Sequence, residues 1–394
     1  MPPEPDPTDR HAAPHAADAA RADRLAPPQA DPDLADRPAG PLADPDPAGR
    51  LPLRRRLVPV VALLLLAPWA AECSWGGFAI DDFLPVIIGL GPMYGGAAIL
   101  IRETARRLGA GWPTIVLLAA AFGVLQAGLV DQSLFNPGYL DDTQYADTRA
   151  AAEASLVPGL GFSLRQAYDY VGNHILLTIC APIVFVESFL GAKRRRRPWL
   201  GRPGLAVVAV LYLLGSLLVF TSPEGRKNFL ASPLQLSFAT VLVLALVAAA
   251  LLPRWRRTRP RRVRRVPHPV WVGLLIVVAH LFTDPTPGWP GVAVALALTA
   301  ALGAVVVYWS GSERWGQRHV LAAGSANVVS AAAFAYLVPP YSPASPAAAL
   351  AGDVAVSLVT LALVVGAWWR LGPAPSGPAS TDVDAGPPAA TPRS

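Results

Sequence analysis

Two histidines, His174 and His280, fall where apolar runs place the outer halves of membrane helices, and imidazoles there could move protons or hold a metal. Groups able to join them stand at similar depth: Gln126, Asp131, Asn173 and Asp284. Imidazole paired with carboxylate is the usual equipment of general acid–base catalysis, which needs its partners within hydrogen-bond reach. A catalytic zinc takes three protein ligands and a water, so His174 and His280 would require Asp131, Asp284 or Asp353 as a third. That set is incomplete, and no metal or cofactor is expected. No glycine-rich phosphate loop with a Gly-Lys-Ser/Thr ending occurs either. The plainer role for these groups is hydrogen bonding between helices, because polar atoms in hydrocarbon must find partners. His174, His280 and Asp284 are therefore catalytic candidates inside a wider outer cluster of Gln126, Asp131, Asn173, His174, His280 and Asp284. The sequence gives these residues a common depth and leaves their lateral spacing open.

The elements that carry them follow from composition. Hydrophobic residues make up 53% of the chain and charged residues 15%, against about 25% charged in an ordinary soluble domain. A helix needs about 20 apolar residues to cross roughly 30 Å of hydrocarbon. Candidate spans lie near 57–73, 83–101, 113–130, 171–191, 204–220, 234–252, 269–283, 291–309, 319–338 and 348–369, the seventh being short at its outer end. Alternating barrel-type segments are absent, and an open sheet cannot satisfy its backbone in lipid. The expected class is all-α, a polytopic transmembrane bundle of about ten spans.

Lysine and arginine orient it. Basic residues crowd the loops around Arg54–Arg56, Arg102–Arg107, Lys193–Arg202, Arg254–Arg265 and Arg314–Arg318, with Arg370 after the last span. The alternate loops hold only Arg149, Arg165, Arg226 and Lys227. Retention of positive charge puts the first set, and both termini, in the cytoplasm. The net charge of +6 is thus a signature of topology and argues for no nucleic-acid partner. The lipid bilayer is the expected partner, with a second membrane protein or a small-molecule or peptide substrate beside it. A multi-pass protein of a plasma membrane is expected, and the excess of arginine, alanine and proline over lysine suits a GC-rich bacterium.

Residues 1–53 and 372–394 are rich in Pro, Ala and Asp with little aliphatic bulk, the composition of disordered cytoplasmic tails around one helical domain at 54–371. Cys73, after Ala70-Ala71-Glu72, stands at the outer end of the first span, which reads as an uncleaved anchor. Cys73 and Cys180 lie about half a membrane apart in depth, too far for a disulfide. The longest connection, 131–170, lies outside; such a loop is usually functional or has its own structure. In the second span Gly91 and Gly95 permit close helix approach and Pro92 should kink the segment. A broken helix can also form a transporter binding site, yet Leu234–Leu252 offers no matching break. Glu103 and Glu187, beside arginines at cytoplasmic ends, read as snorkelling ion pairs.

The run Arg102-Glu103-Thr104-Ala105-Arg106-Arg107-Leu108-Gly109-Ala110-Gly111-Trp112-Pro113-Thr114, followed by Gly123 to Tyr139, resembles a group of uncharacterised actinobacterial multi-pass membrane proteins over roughly 72–190. More remotely, the layout is similar to the CAAX-protease and bacteriocin-processing family of intramembrane enzymes. That family carries a Glu-Glu pair with a following Arg, an aromatic four residues before a His, and a His four residues before Asn or Asp. Tyr170 to His174 matches the second pattern and His280 to Asp284 the third, while Gln126-Ala127 stands where the acidic pair would be. An amide cannot accept a proton as the glutamate does, so the resemblance implies a shared helical scaffold with an inactive or altered site. The leading expectation is a non-enzymatic, transporter-like or envelope accessory membrane protein. The alternative is an altered intramembrane hydrolase.

Overall fold

Five long helices start the same way, with a proline just inside a polar or glycine cap: Gly111-Trp112-Pro113, Gly201-Arg202-Pro203, Ser232-Pro233, His268-Pro269 and Ser345-Pro346. Proline suits the first helical turn because its missing N–H has no acceptor there. Ser232 and Gln235 close a reciprocal capping box on one of these starts. The computed structural model describes residues 52–256, 262–282 and 288–372. The tails expected to be disordered, and Asp284, lie outside the described residues apart from a few positions at the tail edges.

Between the caps run α1 (Leu53–Cys73), α2 (Ile80–Arg107), α3 (Trp112–Val130), α4 (Leu164–Ser188), α5 (Arg202–Thr221), α6 (Pro233–Ala250), α7 (Pro269–Leu281), α8 (Gly288–Ser310), α9 (Gln317–Leu337) and α10 (Pro346–Arg370). Among the described residues nine of these are long and apolar enough to cross a membrane; α7 is shorter. At 1.5 Å per residue its 13 residues rise only about 20 Å. The only strand-like pairings among the described residues are two isolated bridges.

The helices divide into a packed centre and a lipid-facing rim. The most apolar stretch of α4 is 67% buried, that of α6 only 11%. The centre is α1 to α4 with α9, and small residues set its spacing. A Cβ on Gly95 would lie 2.5 Å from Leu64 Cα of α1, and one on Gly215 of α5 would lie 2.8 Å from Met93 N of α2. Only glycine lets these backbones approach so closely.

Loops gather into two sets. At one end Tyr341 N donates to Gly77 O (2.8 Å), Gln144 N to Tyr341 O (3.1 Å) and Gln235 Nε2 to Leu160 O (2.8 Å). At the other, Arg56 Nε donates to Trp199 O (2.7 Å), Arg107 to Leu200 O (2.7 Å) and Gln317 to Ser188 Oγ (3.2 Å). The end carrying Arg56, Arg107 and Trp199 is the basic one. His268, which caps α7, lies beside Trp368 on that end, its ring tilted to the indole, whereas Gly288, where α8 begins, stands beside Ala154 on the other.

Two boundaries differ from the hydropathy reading. Helix α4 begins at Leu164, not near 171, because Ser163 caps it by accepting from Gln166 N. Its first turns carry Arg165, Gln166 and Asp169, which an apolarity window passes over. Helix α2 runs on to Arg107 and takes Arg102, Glu103 and Arg106 into the bundle. Arg102 and Glu103 are wholly buried, and Glu187 is 1% exposed. Arg102 bridges both carboxylates (2.6 Å to Glu103, 3.1 Å to Glu187), Arg106 meets Glu187 at 2.6 Å, and the Arg102 guanidinium lies 3.5 Å over the Trp199 ring. Trp199 N also donates to Glu103 (2.9 Å). This is a compensated interior network rather than a set of side chains snorkelling to water.

Candidate functional site

Four helices of the centre loosen to π-helical i→i+5 geometry: Trp69–Cys73 in α1, Gly91–Gly95 in α2, Gln126–Val130 in α3 and His174–Cys180 in α4. Prolines explain part of this. Pro68 precedes the first segment and Pro92 sits in the second, and each removes a backbone donor. A π-turn widens the helix by one residue and re-aims side chains, which is why such turns collect at functional sites. They carry Glu72, Tyr94, Gln126, and His174 with Thr178.

Glu72, Tyr94 and His174 meet, and Gln126 pairs with Asp131. Tyr94 Oη donates to Glu72 Oε1 at 2.7 Å. The His174 ring lies 5.6 Å from Tyr94 and 5.5 Å from Phe122, and its Nδ1 is 3.1 Å from Thr178 Oγ1. Gly123 makes room for it, since a Cβ there would come within 3.3 Å of His174 Cβ. Gln126 Nε2 donates to Asp131 Oδ2 (3.2 Å), and Ser133 N donates to Asp131 Oδ1 (2.9 Å). The second Gln126 atom, Oε1, is buried with no hydrogen-bond partner. Asp131 lies close enough for its charge to act on Glu72, Tyr94, Tyr139, Tyr170 and Tyr341.

Aromatic rings gather at the end opposite the basic one. Trp75 packs against Tyr341 (5.1 Å) and Tyr145 (5.9 Å), and Tyr139 against Tyr170 (6.3 Å). Tyr139 Oη donates to Gly225 O (3.0 Å), and Tyr145 Oη to Pro339 O, which ties three loops over the cluster. Glu72, His174, Tyr139, Tyr170 and Tyr341 are half-buried.

Electrostatically the cluster is one-sided. No lysine or arginine forms an ion pair with Glu72 or Asp131 among the described residues. Burial, only partly offset by the Ser133 and Gln126 hydrogen bonds, pushes the Asp131 carboxyl up to about 6. Burial and the Asp131 charge hold the Tyr139 hydroxyl well above its ordinary value, and burial with the Glu72 charge does the same for Tyr341. Both phenols stay protonated at neutral pH.

Of the residues expected at this site, Gln126 and Asp131 are hydrogen-bonded to each other, and His174 stands against Tyr94 and Phe122. Asn173 is exposed, and His280 on α7 stands against Phe334 of α9 (6.5 Å). Asp284 is outside the described residues. Gly91, Pro92 and Gly95 form the π-turn of α2 that presents Tyr94. Glu72, Tyr94, Tyr139 and Tyr341 belong to the cluster although residue spacing did not group them. An acid inside an apolar span was the available signal for Glu72; the tyrosines carried none. Cys73 and Cys180 are free and buried. Among the described residues no group of three His, Cys, Asp or Glu side chains is placed to hold a metal. No protein-family model, curated protein or solved structure matches the chain.

Proposed function

We propose that this chain is a transporter-like membrane protein of the plasma membrane that binds a small ligand from the non-cytoplasmic side, in the crevice around Glu72, Tyr94, Gln126, Asp131 and His174. The observation that carries this reading is that π-turns in α1, α2 and α4 bring Glu72, Tyr94 and His174 into contact, while the π-turn of α3 pairs Gln126 with Asp131. Interior polar groups at broken helices are how membrane proteins commonly hold small molecules. Ten crossings with both ends in the cytoplasm are supported by two things: the gathering of basic loops at one end, and the change of ends between His268 and Gly288 despite the brevity of α7. A crossing by so short a helix costs little where neighbours and local thinning of the bilayer cover the mismatch.

The test is a stability screen of the purified full chain in lipid nanodiscs against cationic, anionic and neutral small solutes. At least one class should raise the unfolding temperature of wild type and leave Tyr94→Phe and Glu72→Gln unmoved. A screen in which no solute does so overturns the reading and favours an accessory role with a protein partner.

One observation favours a second reading, an altered hydrolase. Glu72 and His174 both flank Tyr94, so Glu72 offers the carboxylate that Gln126 cannot. Peptide cleavage in nanodiscs, abolished by both Glu72→Gln and His174→Ala, would establish it; its absence from wild type would exclude it.

A further inference from the structure

We infer that the ligand of this crevice is a protonated aliphatic amine, an ammonium ion carrying N–H donors, held by Glu72, Asp131 and Gln126 Oε1 and covered by tyrosine rings. The inference rests on the ligand-binding reading above and names its substrate class.

The first argument is a donor count. Glu72 accepts one bond, from Tyr94, and Asp131 accepts two, from Gln126 Nε2 and Ser133 N. Gln126 itself is 1% exposed and leaves its oxygen without a partner. Two carboxylates and an orphan amide oxygen form a set of acceptors short of donors. A buried acceptor left unsatisfied carries a desolvation penalty that a donor-rich ligand removes. Anionic ligands would add like charge to this set, and neutral ones would leave both carboxylates uncompensated.

The second argument is the ring set. Tyr94, Tyr139, Tyr170 and Tyr341 all lie within reach of the Asp131 charge, and the faces of such rings attract cations. Rings with carboxylates favour an organic cation over a bare metal ion, which wants oxygen ligands on all sides.

The third is the approach. Asp81, Asp82, Asp141, Asp142 and Asp147 are exposed on the same end of the molecule. The basic side chains of that end are already engaged: Arg149 with Asp141 and Glu153, Lys227 with Asp142, Arg165 with Asp169, and Arg226 with the Phe229 carbonyl. An acidic surface around a crevice raises the local concentration of cations and speeds their capture.

Calorimetry on the full chain in nanodiscs, at pH 7.5, tests this with four probes at matched ionic strength: butylamine, tetramethylammonium, butyrate and sodium chloride. Butylamine should bind at least tenfold more tightly than tetramethylammonium, which has charge but no N–H. Asp131→Asn and Glu72→Gln should each weaken butylamine by about tenfold or more while eluting as folded protein. Arg196→Gln, exposed at the opposite end of the bundle, should bind like wild type, a check that the losses are local to the cluster. Binding of butyrate alone, equal effects of sodium and butylamine, or undiminished butylamine binding in both acid variants would overturn the amine assignment. If another solute class still raises the unfolding temperature, the ligand-binding reading survives. Silence from every class overturns both.

Discussion

Replacing Asp131 by Asn should make the ligand-free protein more stable at neutral pH. Asp131 is 8% exposed and its carboxyl sits at about 6, against 3.8 for the unperturbed group. A carboxyl raised in the folded state binds its proton more tightly there than in the unfolded chain. Stability therefore falls as pH rises from about 4 to about 6, and the loss persists at higher pH. Two units correspond to about 3 kcal/mol, an upper figure because the unfolded state in detergent keeps some structure. Asn removes that penalty. Its Oδ1 can still accept from Ser133 N, and its Nδ2 can donate to Gln126 Oε1 once the Gln126 amide turns over, since Gln126 Nε2 faces that position in the wild type.

The assay is thermal unfolding in a mild detergent, followed by tryptophan fluorescence at pH 4 and pH 7.5. At pH 7.5 Asp131→Asn should unfold several degrees above wild type, taking about 2 °C per kcal/mol for a chain of this size. At pH 4 the two should nearly coincide, because wild-type Asp131 is then protonated. A variant that is no more stable at pH 7.5, or equally shifted at both values, would refute the claim that an uncompensated charge is kept at this position.

Four further outcomes follow. Glu187→Ala leaves Arg102 and Arg106 without their shared carboxylate in a buried setting and should cost about 3–5 kcal/mol, read by the same unfolding assay. Gly95→Val drives a side chain into the Leu64 backbone and should destabilise by about 1–3 kcal/mol or more, whereas Gly89→Ala, where a Cβ meets nothing within 4 Å, should be neutral in that assay. Asp147→Cys should react with a membrane-impermeant maleimide on intact cells, and Arg196→Cys only after permeabilisation; both sites are exposed and the native cysteines are buried. Butylamine binding should weaken as pH falls through about 6, as Asp131 takes up a proton; the groups facing it are Gln126, Ser133 and the fields of Glu72, Tyr139, Tyr170 and Tyr341. Calorimetry at pH 5 and 7.5 checks it.

The membrane class and most helix positions were legible because hydropathy and arginine placement act along the chain. The start of α4 was not, since Arg165, Gln166 and Asp169 form its first turns and a hydropathy window averages them away. The end of α2 was hidden for the same reason: Arg102, Glu103 and Arg106 read as surface residues until Glu187 and Trp199 are brought beside them. Within the site, Gln126, Asp131 and His174 announced themselves as polar groups in apolar surroundings. Glu72 stood in the same category and went ungrouped, because depth fixes one coordinate and the other two depend on which helices pack together. Tyr94 and Tyr341 gave no signal, as tyrosine is ordinary at membrane interfaces.

The two ends of the bundle treat buried charge in opposite ways. Near Trp199 each carboxylate has an arginine, and the Glu103 oxygens also accept backbone N–H groups. Near Tyr94, among the described residues, two carboxylates have hydrogen bonds but no cation and an amide oxygen has no partner, and four helices of the centre contain π-turns. A chain able to neutralise interior charge at one end gains no stability by leaving it bare at the other. Perturbed acids and unsatisfied acceptors persist where function requires them, since substitutions that relieve them are easy to find. The compensated network holds α2, α4 and the 189–201 loop in one arrangement. The same two helices carry Tyr94 and His174 at the uncompensated end.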